Sequence, residues 1–166
     1  MNAAIAGEVL RLAEKHRKPV YVVVGNMGVI ARHPEYLRSV SCFICNEIEA
    51  ARLFDRSLDG VSPEEMLTLL IEESRQRGIS AMVITMGSEG AVYVDHKSGE
   101  FGRCPAEPVT MVDSTGAGDA FFTGTVAALG RKYPLSRAVR VGSKLAAMTL
   151  QSAGSCCPEA SRLLNG

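Results

Sequence analysis

Three short and almost uninterrupted apolar runs alternate with helix-forming segments along this chain. They occupy residues 20–24, 42–45 and 81–85. Continuous apolar runs of this length are typical of strands that are buried on both faces, as in a parallel sheet covered by helices. Parallel strands also need long crossover connections, which are usually helical. The alternation therefore predicts a layered α/β/α domain with a largely parallel sheet.

The segments between and after these runs carry helix and hairpin signals. Residues 3–16 place Ile5, Val9, Leu12 and Ala13 at helical spacing, which predicts an amphipathic helix. The clearest helix is predicted at 63–77, where Ser62 is a good N-cap and Gly78 a good terminator. We predict further helices at 34–38, 47–54, 120–130 and 136–151, and a β-meander built on strands 91–94 and 99–103. Residues 1–166 form one predicted domain.

Composition narrows the class of protein. The 166 residues are 46% hydrophobic and carry a formal net charge of zero, so we expect neither a nucleic acid nor a membrane as partner. No apolar run approaches the roughly 20 residues of a membrane helix, and no signal-peptide pattern opens the chain. Five cysteines is an odd number for a disulfide framework, which favours a reduced, cytoplasmic protein.

The cysteine and histidine positions do not favour a metal centre. Cys42 and Cys45 form a C-x-x-C pattern, but residues three apart on a strand face opposite sides of a sheet. Cys156 and Cys157 follow far downstream, and no spaced histidines complete a zinc set. We therefore expect structural thiols, and surface positions for the three histidines, which are His16, His33 and His96.

The stretch from Asp113 to Asp119 is the strongest chemical signal. A β-type run at 109–112 stops at a polar turn with two glycines, and a helical pattern follows at once. Such a strand, turn and helix leave unpaired amides that point one way and bind anions. Asp119 would repel a phosphate in this place, but it suits a base that deprotonates an attacking hydroxyl.

Two further segments follow buried strands and allow two interpretations each. Asn46 and Glu49 fit a capping box at the start of a helix, which the spacing favours, and the alternative is that they hold hydrated Mg²⁺. The turn at 85–90 could be a plain connection, or it could let a nucleotide approach the backbone. The end of the last helix, around Thr149, Ser152 and Gly154, is either an ordinary terminus or a source of carbonyls for a monovalent cation.

Together these segments resemble the C-terminal half of a ribokinase/PfkB-type carbohydrate kinase. Residues 113–121 are similar to that family's second signature, Asn46-x-x-Glu49 to its magnesium motif, and Thr85-x-Gly87-x-x-Gly90 to its nucleotide-binding turn. The resemblance extends from residue 3 to about 158 and implies a ribokinase-like fold. Residues 86–90 and 99–102 also resemble pseudouridine kinases faintly.

The resemblance implies a role for each matching residue. Asp119 would be the catalytic base, and the amides of Gly116, Ala117 and Gly118 would form the anion hole. ATP would be the phosphoryl donor and a sugar or nucleoside the acceptor. Asn46 and Glu49 would organise Mg²⁺. The nucleotide would contact Thr85, Gly87, Gly90, Gly118, Gly142 and Ser143. A monovalent cation, usually K⁺, would lie near Asp113, Thr115, Thr149, Ser152 and Gly154.

The chain also departs from the family pattern. Family members are roughly twice as long, and the sugar-binding motif and β-sheet lid of their N-terminal half have no counterpart here. We therefore expect a truncated form that has weak or no activity alone. Its expected partner is either a missing N-terminal half or a second copy in a homodimer. The alternatives are a non-catalytic nucleotide-binding module and a different α/β enzyme with another cofactor.

Overall fold

The fold is built on one five-stranded sheet. In a computed structural model, residues 3–23 and 27–152 are described. The strands are β1 (Tyr21–Val23), β2 (Cys42–Asn46), β3 (Ala81–Thr85), β4 (Ala91–Asp95) and β5 (Glu100–Cys104), and they lie in this order in the sheet. β1, β2 and β3 run parallel, whereas β4 and β5 continue as an antiparallel meander. The predicted α/β fold with parallel strands and a C-terminal meander is confirmed.

Helices cover both faces of this sheet. They are α1 (Ala3–Lys15), α2 (Gly28–Arg32), α3 (Glu47–Phe54), α4 (Pro63–Arg77), α5 (Ala117–Gly130) and α6 (Leu135–Leu150), with 3₁₀ turns at Pro34–Ser39 and Gly87–Glu89. One core joins Phe43 and Met82 of the sheet to Leu70 of α4. The opposite core joins Val83 to Phe121 of α5 and Val139 of α6.

The two cysteines of β2 lie on opposite faces of the sheet, as their spacing predicts. Cys45 belongs to the core beneath α4, and Cys42 belongs to the core beneath α5 and α6. Burial raises the pKa of the Cys42 thiol to about 12 and that of Cys45 well above its ordinary value. Both are therefore buried, protonated thiols that lie in separate cores. Cys156 and Cys157 lie outside the described residues.

The N-terminal side of the domain leaves apolar surface uncovered. Helix α1 forms as predicted, but Ile5, Val9 and Leu12 of its apolar stripe are 57%, 48% and 39% exposed. The adjacent strand β1 lies at the end of the sheet, and its second edge has no partner among the described residues. Val23 on this strand is 45% exposed. The amphipathic period therefore identified the helix correctly, but no described part of the chain packs on the stripe.

Several boundaries differ from those predicted. Residues 109–112 are not a strand, because they run beside the end of α6, where the Val112 amide donates to the Leu150 carbonyl over 2.8 Å. Helix α5 begins at Ala117 rather than at Ala120. The predicted helix at 34–38 is a 3₁₀ turn, and α2 precedes it unpredicted.

The predicted surface position of His96 is wrong. His96 begins the turn between β4 and β5 and is half-buried, with its Nε2 2.8 Å from the hydroxyl of the fully buried Ser74 on α4. Burial lowers the pKa of this imidazole, and the charge of Arg75 lowers it further. The histidine therefore ties the β4–β5 hairpin to α4. Among the described helices, none combines the length and apolar character needed to cross a lipid bilayer.

Candidate functional site

The carboxyl ends of β2 and β3 place the first two predicted motifs side by side. Asn46 is the register partner of Thr85, and Thr85 is in turn the partner of Ala91 on β4. The Thr85 hydroxyl donates to the Cys45 carbonyl over 3.4 Å. Ligands of α/β sheets bind beyond this edge, where helix N-termini and loops converge. The sheet therefore brings the Asn46 and Thr85 motifs to one edge.

Asn46 and Glu49 form a complete capping box at the start of α3. The Asn46 Oδ1 accepts the Glu49 amide over 2.9 Å, and the Glu49 Oε2 accepts the Asn46 amide over 3.0 Å. Both side chains remain accessible to solvent. The capping interpretation is thus confirmed as structure. It leaves the second carboxylate oxygen of Glu49 without a hydrogen bond to another described residue.

The turn from Met86 to Gly90 is held tightly against the exit of β5. Gly87 and Gly90 have φ angles of 53° and 92°. The Met86 amide donates to the Gly90 carbonyl over 2.7 Å. A methyl group on Gly90 would lie 2.1 Å from the Cys104 carbonyl oxygen and 2.6 Å from the Ala106 nitrogen. Glycine is therefore required at 90 both by conformation and by close backbone approach.

The turn before α5 presents unpaired backbone amides. Gly116 is the N-cap residue of α5 with φ 81°, and no side chain caps the helix. The amides of Gly116, Gly118 and Asp119 have no acceptor among the described residues, whereas the Ala117 amide donates to the Ser114 carbonyl over 3.3 Å. Space around Gly118 is open. Unpaired amides at the positive end of a helix form a site for an anion.

Two carboxylates flank these amides. The Asp113 Oδ1 accepts the Thr115 amide over 2.9 Å, and this backbone hydrogen bond lowers the pKa of Asp113. Asp119 is the third residue of α5 and is exposed, with no hydrogen bond or ion pair to another described residue. A carboxylate without a structural partner, beside free amides, is available to interact with a ligand.

A cleft of about 750 Å³ adjoins this turn, a volume in the range of ligand pockets. The predicted residues Thr85, Gly87, Gly90, Ala117, Gly118 and Ser143 line it. Asn46, Glu49, Gly116 and Asp119 are not in its lining. Asp119 is exposed and directly follows the lining residue Gly118, so it is adjacent to the cleft but outside its lining.

Gly142 lies behind the cleft and supports its wall. A methyl group there would lie 2.2 Å from the Thr125 hydroxyl and 2.6 Å from the Phe121 carbonyl, so α5 and α6 pack closely at this glycine. Its neighbour Ser143 faces the cleft. The sequence predicted no binding role for the second wall. It consists of residues 106–109, which are not part of a strand, together with Met111, Phe121, Ala146, Ala147 and Leu150.

Three of the positions predicted for a monovalent cation, Asp113, Thr149 and Ser152, lie near the end of α6. The Leu150 carbonyl accepts the amides of Val112 and Asp113, which brings the Asp113 turn against this helix end. The Thr149 carbonyl accepts the Ser152 amide over 3.0 Å. Gly154 lies outside the described residues. The described carboxylates, thiols and histidines form no cluster of three that could hold a metal ion by themselves.

Comparison with known proteins gives a consistent result. Residues 1–161 match the sequence profile of the pfkB family carbohydrate kinases. A guanosine-inosine kinase from Exiguobacterium acetylicum is 32% identical over 152 residues, which are 92% of this chain and 49% of that protein. A ribokinase from Mus musculus is 31% identical over 124 residues, which are 73% of this chain and 37% of the relative.

Solved structures agree with this fold. Arabidopsis thaliana ribokinase complexed with ribose and ATP superposes with a TM-score of 0.83 at 21% identity, covering 99% of this chain and 53% of that one. Adenosine kinase from Sinorhizobium meliloti gives a TM-score of 0.73 at 21% identity, covering 97% of this chain and 47% of that structure. The chain spans about half the length of the curated relatives it matches most extensively, such as the guanosine-inosine kinase.

Proposed function

We propose, because this chain belongs to the pfkB family of carbohydrate kinases, that it carries the phosphoryl-transfer half of an ATP-dependent sugar or nucleoside kinase. The observation that supports this most directly is the N-terminus of α5. There the amides of Gly116 and Gly118 have no acceptor among the described residues, and Gly118 lines the cleft. The Asp119 carboxylate, which has no partner among the described residues, follows Gly118 in the first turn of α5. Such a pairing suits a reaction that transfers an anionic group to a hydroxyl.

In the proposed reaction, Asp119 accepts the proton of the acceptor hydroxyl as its oxygen attacks the γ-phosphorus of ATP. A bond forms between that oxygen and phosphorus, and the bond from phosphorus to the β–γ bridging oxygen breaks. ADP leaves with the electron pair, and the acceptor becomes a phosphate ester. The amides of Gly116 and Gly118 donate hydrogen bonds to the transferring group, and the dipole of α5 stabilises its charge. Ala117 contributes by placing these two amides.

The donor set at the β2 edge fits hydrated magnesium. Glu49 uses one carboxylate oxygen in the capping box and keeps the other available, and Asn46 lies beside it. Mg²⁺ usually retains several waters and takes one or two carboxylates. We assign Asn46 and Glu49 to hold it. When bound, the ion would offset charge on the phosphates, while the capping box keeps both side chains oriented.

A monovalent cation, which would be K⁺ by the family resemblance, is assigned to the junction of the Asp113 turn with α6. Asp113 carries a carboxylate at this junction, and its Oδ1 is oriented by the Thr115 amide over 2.9 Å, which suits a cation nearby. Thr115, Thr149, Ser152 and Gly154 are the other assigned positions. A cation here would stabilise the turn whose amides face the phosphoryl group.

A second candidate function follows from the share of the relatives that this chain covers. Because the chain spans 49% of the guanosine-inosine kinase, it could bind nucleotide without completing an acceptor site. Phosphoryl transfer requires two positioned substrates and exclusion of water. A nucleotide-binding module without turnover is therefore the alternative to an active kinase.

Two measurements separate these functions. Calorimetric titration with Mg·ATP should show binding, and no binding would exclude both. ADP release is then measured against a panel of sugars and nucleosides. If the chain is active, Asp119→Asn should lower the rate by about 10²–10⁴ with little change in ATP affinity. Asp59→Asn, an exposed surface change, serves as control. Full activity in Asp119→Asn would refute the assigned base.

A further inference from the structure

The cleft is lined mostly by small or apolar residues, with one charged side chain among those described. Glu107 is the sole charged side chain among the described residues that line it. It lies after β5, next to Pro108, in the wall formed by residues 106–109, for which the sequence predicted no binding role. Its carboxylate makes no hydrogen bond or ion pair with another described residue, although it is only partly exposed. The proposed reaction leaves this group without a role.

Glu107 lies on the side of the cleft formed by the turn after β3, because the nitrogen of the preceding Ala106 packs against Gly90. Leu150 lies on the side of the Asp113 turn, because its carbonyl accepts the amides of Val112 and Asp113. Ser143 also lines the cleft, seven residues earlier on α6, which corresponds to roughly 10 Å along the helix axis.

Cys104, the last residue of β5, lies three residues before Glu107. It is buried in the same core as Val139 of α6, one turn before Ser143. The Cys104 backbone is also the group against which Gly90 packs. Glu107 therefore follows a segment that packs both on the Gly90 turn and on α6.

A carboxylate can only accept hydrogen bonds while it is ionised, and it repels phosphate. Because Glu107 is the one carboxylate in the described lining, a nucleoside triphosphate whose phosphates lie at Gly116 and Gly118 would bind best with its nucleoside part toward Glu107. The hydrogen-bond donors of that part of ATP are the 6-amino group of adenine and the two ribose hydroxyls. On the basis of the proposed function, we propose that Glu107 is a specificity residue that accepts a hydrogen bond from the nucleoside part of the phosphoryl donor.

The test is calorimetric titration of the wild-type chain and Glu107→Met, which keeps the length of the side chain but removes the acceptor. We expect ATP affinity to fall about tenfold, the effect of losing one hydrogen bond to a charged group. Binding of inorganic tripolyphosphate should stay unchanged. Glu89→Met is the matched control, because Glu89 is an exposed carboxylate beside the cleft but outside its lining.

Two analogues then identify the donor group. If the loss disappears with 2′-deoxy-ATP, the donor is the 2′-hydroxyl. If it disappears with purine riboside triphosphate, which lacks the 6-amino group, the donor is the base, and if it persists with both, the donor is the 3′-hydroxyl. Unchanged or tighter ATP binding by Glu107→Met, or an equal loss with tripolyphosphate, would overturn the inference while the proposed function stands. Absence of ATP binding by the wild-type chain would overturn both.

Discussion

Gly90 offers the sharpest test of how the cleft is built. In Gly90→Ala the added methyl group would meet the Cys104 carbonyl at 2.1 Å and the Ala106 nitrogen at 2.6 Å. Both contacts are with backbone, so neither can be relieved by a side-chain rotation. The φ of 92° adds conformational strain for any residue with a Cβ. The substitution must therefore distort the turn, the exit of β5, or both.

The expected loss of stability follows from these two terms. Strain in a sparsely populated backbone conformation amounts to about 1–3 kcal/mol, and overpacking adds about 1–3 kcal/mol. We expect Gly90→Ala to lower the free energy of unfolding by about 2–6 kcal/mol. This is a large share of the roughly 5–15 kcal/mol typical of a folded domain. With a urea dependence of about 2 kcal/mol per M, a loss of about 4 kcal/mol moves the midpoint by about 2 M.

Gly87→Ala is the matched control three residues away. Gly87 also has positive φ, at 53°, but a methyl group there would meet nothing within 4 Å. Only the left-handed conformation is penalised, by about 1–2 kcal/mol. Urea unfolding followed by circular dichroism compares the two variants. Equal midpoints for Gly87→Ala and Gly90→Ala would refute the argument that close backbone approach requires a glycine at 90.

Three further predictions concern stability. Glu100→Ala should lower the free energy of unfolding by about 1–2 kcal/mol in urea titrations, because the Glu100 carboxylate accepts the Leu135 amide over 2.9 Å at the otherwise uncapped start of α6. His96 should make stability fall as pH drops below about 6.5, since its pKa is lowered in the folded state and the unfolded chain binds the proton more readily. Gly142→Ala should lower the unfolding free energy by about 1–3 kcal/mol, because its methyl group would overlap Thr125.

Each of these has its own control. Glu100→Gln keeps an acceptor for the amides of α6 and should lose less stability than Glu100→Ala. His96→Gln should flatten the stability profile between pH 7 and 5.5, and an unchanged slope would exclude His96 as its source. Gly130→Ala adds a methyl group with nothing within 4 Å, so a loss equal to that of Gly142→Ala would contradict the packing argument.

The sequence predicted best the elements whose limits are set by local chemistry. Helix α4 begins and ends where predicted because Ser62 and Glu65 form a capping box and Gly78 takes a left-handed conformation. The same holds for α3, which Asn46 caps. Caps depend on residues within one turn of each other, so a linear sequence contains all the information they need.

Predictions failed where the outcome depends on distant neighbours. Residues 109–112 have strand-like composition but follow the end of α6, because the Leu150 carbonyl takes the amides that a sheet would otherwise use. Helix α5 starts earlier than its apolar pattern, since Gly116 ends the turn by adopting positive φ. The role of Gly142 in packing α5 against α6, and the wall containing Glu107, also arise only from tertiary contacts.

The N-terminal side of the domain, which no other described residues cover, has a consequence for solution behaviour. Strand β1 presents an edge of three residues, Tyr21–Val23, without a charge or a proline, and the Ile5–Leu12 stripe of α1 is exposed as well. Natural sheets usually protect such edges, because an open edge can template pairing with another chain. Association through this side is second order in protein, so aggregation of the chain should increase with its concentration. A charged residue at Val23 should raise the concentration at which aggregation begins, without touching the cleft.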